Sequence, residues 1–289
     1  MGRNTCAKLL WVVLAGLFAL SPAHATVFSI DSFSVYRDGN LFFHDDFDDG
    51  VVPPSTGWTF PNQTEAVYST VGNPGPENDS KLALDTSLGT AQDSRVTGNP
   101  LLVQRNRLRT NTTSDTNSGL KLNHDIAVFG VFDFIAPELN NERYSIRLTD
   151  FQTDYASNDN VDVTVRRNNE GLLSIAFRQA DFDTGTMNVL DQLFLEEGDF
   201  EFFDQITLGL FTEAGSQDVY AGFSLSGGPG GNFEYLFDGI GNIFNGEVWT
   251  RAAFIATQQV TTGVPEPTTI ALMLMGLFGI GLSRHKRVI

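Results

Sequence analysis

The sequence predicts an all-β fold, an antiparallel two-sheet sandwich of jelly-roll-like form, and three observations predict it. Apolar residues alternate with polar ones at a period of two through most of the chain, as in half-buried strands. Short turn signals separate these runs, and no stretch between the two ends of the chain sustains a capped 3.6-residue period. The chain also holds 24 Phe, enough large apolar side chains to fill the space between two sheets.

The N-terminus carries Arg3 and Lys8, then an apolar run from Leu9 to Leu20, then Ser21-Pro22-Ala23-His24-Ala25 with small residues at its third and last positions. This order is that of a secretory leader, a signal helix at residues 1–25 removed by a signal peptidase after Ala25. The single cysteine, Cys6, precedes the apolar run and leaves with the leader. The exported protein then holds no thiol, and its stability rests on the core rather than on disulfides.

Residues 26–255 read as one sandwich ectodomain. Phe28 to Tyr36 and Leu41 to Phe43 flank Asp38-Gly39, a hairpin signal; Tyr144, Ile146 and Leu148 alternate with polar residues, as do Val161, Val163 and Val165. Asn168-Asn169-Glu170-Gly171 joins that last run to Leu172 to Phe177. Similar patterns appear at Val128 to Phe134, Gln205 to Phe211, Val219 to Leu225 and Trp249 to Ile255. The uncharged stretch 256–263 has the composition of a linker. The formal net charge is −17, and because Arg3, Lys8, Arg284, Lys286 and Arg287 all sit in the terminal segments, the ectodomain is more acidic still. Such a surface excludes nucleic acid and anionic lipid as expected partners and admits divalent cations.

At the other end, Val264-Pro265-Glu266-Pro267 is followed by an uncharged apolar run, Thr268 to Leu282, and then by Ser283-Arg284-His285-Lys286-Arg287-Val288-Ile289. As a transmembrane helix, 268–282 would span about 22 Å against a hydrocarbon core of roughly 30 Å, so it inserts under strain. Arg284, Lys286 and Arg287 hold the C-terminus in the cytoplasm and place the Pro265-Glu266-Pro267 motif on the outer face, extended by its prolines. The order of motif, apolar span and basic end over 264–289 resembles the PEP-CTERM sorting tail, which is handled by an exosortase-type membrane enzyme. A tail of this kind is also called an ice-binding protein C-terminal domain. Thr110, Thr112, Thr113 and Thr116, expected in a polar loop, do not form the repeating array that ice binding needs. The resemblance implies an exported protein, held briefly in the inner membrane and then released to the surface or exterior, in systems that accompany extracellular polysaccharide and biofilm.

Phe43-His44-Asp45-Asp46-Phe47-Asp48-Asp49-Gly50, with Trp58 beyond it, resembles the opening of laminin-G-like and concanavalin-like jelly rolls. Asp45, Asp46, Asp48 and Asp49 supply the hard oxygen ligands that calcium takes, although the spacing is not that of an EF-hand and a solvated acidic turn is the plainer reading. Asp154 to Asp162 is a second oxygen-rich stretch. No other cofactor is expected. For catalysis the ectodomain offers only His44 and His124 as imidazoles, a strand-borne Ser224 without a nucleophile-elbow pattern, and no Glu-x-Asp-x-x-Glu run. The expected function is a non-catalytic surface or matrix protein associated with extracellular polysaccharide. The alternative is a glycan-active enzyme on a concanavalin-like scaffold, which a pair of carboxylates converging in a groove would favour.

Overall fold

The computed structural model describes residues 26–47, 66–71, 81–85, 90–94, 101–112, 120–121, 124–150, 159–181, 186–242 and 249–259. The leader, residues 48 and 49 and the sorting tail lie outside them. The strands are β1 (Val27–Arg37), β2 (Asn40–Asp45), β3 (Ala66–Val71), β4 (Leu82–Asp85), β5 (Thr90–Ser94), β6 (Leu101–Thr112), β7 (Leu120–Lys121), β8 (Ile126–Asp133) and β9 (Arg143–Asp150). They continue with β10 (Asn160–Arg167), β11 (Leu173–Asp181), β12 (Thr186–Leu195), β13 (Gln205–Thr212), β14 (Asp218–Ser226), β15 (Phe233–Leu236), β16 (Gly241–Asn242) and β17 (Trp249–Gln259).

They form two antiparallel sheets. The first has the order β15-β14-β13-β8-β1-β2, with β16 beside β14 and β4 beside β1; the second has the order β12-β11-β10-β9-β17-β6-β3, with β5 beside β6 and β7 beside β17. The period-two pattern does what it predicts. In β8, Ile126, Val128 and Phe132 face the core while Phe129 and Val131 face outward, and in β9 and β10 Tyr144, Ile146, Leu148, Val161, Val163 and Val165 are fully buried. Rings bridge the sheets, with Phe33 to Phe254 at 5.1 Å and Phe28 to Tyr144 at 4.7 Å between centroids.

Both predicted hairpins form. Asp38 and Gly39 take φ of 52° and 73°, the left-handed pair that a two-residue turn between twisted strands requires. Asn168 Oδ1 accepts from the amides of Glu170 and Leu172, each at 2.9 Å, closing the β10–β11 turn. In β1 the register slips between Ile30 and Ser32, so the inward set passes from Phe28 and Ile30 to Phe33 and Val35. One extra residue, Asp31, therefore keeps both halves of the strand apolar side inward.

Two boundaries differ from the sequence reading. β17 runs to Gln259 and buries Ala256 and Thr257, so sheet pairing extends into the 256–263 stretch read as a linker. Thr110 and Thr112 belong to β6 rather than to a loop. Both stretches are polar in composition, and their pairing partners across the sheet, β9 on one side and β3 on the other, lie far away in sequence.

Candidate functional site

Of the acidic stretch after β2, Asp45 and Asp46 are described. Asp45 stands opposite Phe33 in register, and its Oδ1 accepts the Phe47 amide at 2.8 Å. That short turn carries Phe47 into the left-handed region, φ 52°, and tucks its ring into the core, 5.7 Å from Phe254. Asp46 is exposed. Asp48 and Asp49 lie outside the described residues, and no group of three or more His, Cys, Asp or Glu side chains placed to hold a metal occurs among the described residues.

The second oxygen-rich stretch ends in Asp162, and there the structure shows something the sequence did not. Asp162 accepts Arg147 Nη2 at 2.7 Å, Arg178 Nε at 2.8 Å and Arg178 Nη2 at 2.8 Å. All three residues are buried, on the face of the second sheet that points away from the core. Burial works against the charged carboxylate, but Arg178, Arg147 and Arg143 outweigh it and hold its pKa well below the ordinary 3.8. Arg166, on the same face, is pushed down to about 10 by burial and by the Arg178 cation, with partial relief from Asp162. The alternation Val-Asp-Val-Thr-Val in β10 signalled an outward Asp162, but its partners come from two other strands.

His44 Nδ1 shares a hydrogen bond of 2.8 Å with Ser34 Oγ, and His124 Nδ1 lies 2.6 Å from Asp38 Oδ2. Each is engaged in a turn or cross-strand contact. A carboxylate pair does converge, at Asp31 and Asp133, but around a lysine: Lys81 Nζ is 2.5 Å from Asp133 Oδ1 and 3.4 Å from Asp31 Oδ1. Gln205 Nε2 donates to Asp31 Oδ2. Burial raises the Asp31 pKa, and Lys81 opposes that rise.

The outer face of the first sheet holds the most open depression with a defined floor. Tyr36 of β1, Phe129 of β8 and Phe211 of β13 meet edge to face, at 5.9 Å and 5.4 Å between centroids. Phe129 and Phe211 line two adjoining hollows. One, of about 330 Å³, is completed by Tyr36, Asp125, Ala127 and Thr212; the other, of about 280 Å³, by Thr207, Gly209, Gly222, Ser224, Glu234 and Leu236. Gly209 and Gly222 are opposite one another in register. A Cβ on Gly209 would sit 2.9 Å from the Phe211 ring, and one on Gly222 would sit 2.8 Å from Leu236 Cδ2 and 2.9 Å from the Tyr235 carbonyl. The glycine pair thus lets Phe211 and Leu236 lie over the sheet and shape the hollow. Leu236 is 75% exposed. The trough offers flat apolar rings bordered by Ser, Thr and acidic groups, with no nucleophile aligned to a base. The sequence reading missed it because Phe129 and Phe211 looked like further core residues.

Residues 263–287 match the PEP-CTERM protein-sorting motif. No curated protein matches the chain. Among solved structures, the metal-free form of lectin I-B4 from Griffonia simplicifolia superposes with a TM-score of 0.33 at 8% identity, covering 69% of this chain and 94% of the lectin. The chain therefore carries a sorting motif that implies export and handling by an exosortase-type system, behind an all-β two-sheet domain. No helix among the described residues is long and apolar enough to cross a membrane.

Proposed function

We propose that this is a non-catalytic surface or matrix protein whose ectodomain associates with extracellular polysaccharide. The observation that carries the reading is the trough floored by Tyr36, Phe129 and Phe211 on an outward sheet face. Pyranose rings present apolar C–H faces to aromatic rings and hydroxyls to polar rims, and this trough has both. The sorting motif supports the reading by implying delivery to the exterior. The leader is removed by a signal peptidase, and the tail is recognised at Pro265-Glu266-Pro267. Affinity electrophoresis of the full chain in gels cast with the producing cell's own polysaccharide tests it. Retardation should fall about tenfold or more in a Phe129→Ala, Phe211→Ala double variant, each aromatic contact being worth about 1 kcal/mol. Equal retardation of both proteins removes the trough from the account.

The enzyme reading has one observation in its favour, the Asp31–Asp133 pair, with Asp31 raised as a general acid would be. Lys81 occupies the space between those carboxylates, where a glycosidase would admit the sugar. Release of reducing ends by the full chain, lost on Asp133→Asn, would establish the enzyme reading.

A further inference from the structure

The first described residue, Thr26, is the residue that a cut after Ala25 would make the new N-terminus, and it is held unusually closely for a chain end. Its backbone N lies 2.8 Å from Glu142 Oε1 and its Oγ1 donates to Glu142 Oε2 at 2.6 Å. Glu142 is fully buried and Thr26 is 7% exposed. The carboxylate is preorganised by the turn that bears it: Oε2 also accepts the amides of Glu138 at 2.9 Å and Leu139 at 3.0 Å, and Glu138 N reaches Thr26 Oγ1 at 3.1 Å. That turn is in turn pinned to the end of β10, through Asn141 N to Arg167 O at 2.8 Å and Arg167 N to Glu142 O at 3.0 Å. These hydrogen bonds come from neutral donors, and the partners lie more than a hundred residues apart in sequence.

We infer that Glu142 forms a binding site for the protein's own amino terminus, and that removal of the leader between Ala25 and Thr26 converts the Thr26 N–H···Glu142 hydrogen bond into a buried ammonium–carboxylate pair. The step is an ordinary hydrolysis. Water adds across the Ala25–Thr26 peptide bond, the acyl carbon leaves as the Ala25 carboxylate, and the Thr26 nitrogen leaves as an amine that takes up a proton at neutral pH. The nitrogen keeps its place and gains donors and a positive charge 2.8 Å from a buried carboxylate. Hydrogen bonds in which both partners are ionised are roughly twice as strong as neutral ones, and the gain is largest away from water. Processing therefore locks the start of β1 onto the β9–β10 end of the opposite sheet. A neutral or displaced Thr26 nitrogen lacks that lock. The inference is independent of what the trough binds.

Four forms of the full chain exported from cells with the native leader test it: unaltered, Glu142→Gln, Ala25→Phe to block the cut, and one with a glycine inserted ahead of Thr26. Mass spectrometry should place the unaltered N-terminus at Thr26, and its α-amine should react with acetic anhydride at least about tenfold more slowly than the amine of the glycine-extended form. The unaltered protein should melt roughly 5 °C above both the uncut and the extended forms. Glu142→Gln should free the amine to react. An N-terminus elsewhere, or an α-amine at Thr26 as reactive as the extended one, overturns the inference. If Glu142→Gln does not fold, the extended form alone decides between the two outcomes.

Discussion

At Asp162 a single carboxylate organises two strands beyond its own, and the charges it balances are buried with it. Replacing it by Asn leaves Arg147 and Arg178 facing one another without their anion, and the expected loss is about 3–5 kcal/mol by chemical denaturation. The pH dependence follows from the direction of the shift. The carboxylate's folded-state pKa is depressed, so its stabilisation is fully present above the ordinary 3.8 and is lost as pH falls below that toward the folded value. The unaltered protein should therefore lose stability in acid over that window, and Asp162→Asn should show a flatter acid limb. An acid limb of unchanged slope would assign the loss to other carboxylates.

Among the elements, β14 and β15 are coupled where Gly222 passes under Leu236 and the Tyr235 carbonyl. Gly222→Ala forces β15 outward, because a backbone carbonyl at 2.9 Å cannot rotate away as a side chain can. The expected cost is about 1–3 kcal/mol, together with weakened polysaccharide retention, since Leu236 borders the trough. Glycan retention that survives this change would place binding elsewhere. The end of β2 carries a separate proposal, calcium held by Asp45, Asp46, Asp48 and Asp49. An acidic ectodomain also gains from divalent cations through relief of self-repulsion, so melting should rise in millimolar calcium and rise more than in magnesium. Replacing the four by Asn should blunt that rise if this stretch is the site, and identical melting curves would exclude calcium.

For the molecule as a whole, the sorting motif at 263–287 separates delivery from function. Deleting Pro265 to Pro267 should leave full-length protein in the inner membrane, detectable by fractionation and immunoblotting, while the ectodomain's melting temperature stays within about 1 °C. Release of normally sized protein from that deletion would turn the sorting tail into a plain anchor.

The sequence by itself determined what depends on neighbours along the chain. Strand alternation follows from the fixed period of the pleat, so Val161, Val163 and Val165 were legible as core, and the Asp38-Gly39 turn from the left-handed backbone those residues tolerate. The terminal segments were legible because signal peptidases and membranes read local order of charge and apolarity. Only the tertiary structure decided which outward residues meet. Arg147 and Arg178 reach Asp162 from adjacent strands, Phe129 and Phe211 form one floor across β8 and β13, and Thr26 finds Glu142 from the far end of the ectodomain. Register between distant strands sets each of these contacts, and register is fixed by packing of the whole core, which no single stretch of sequence encodes.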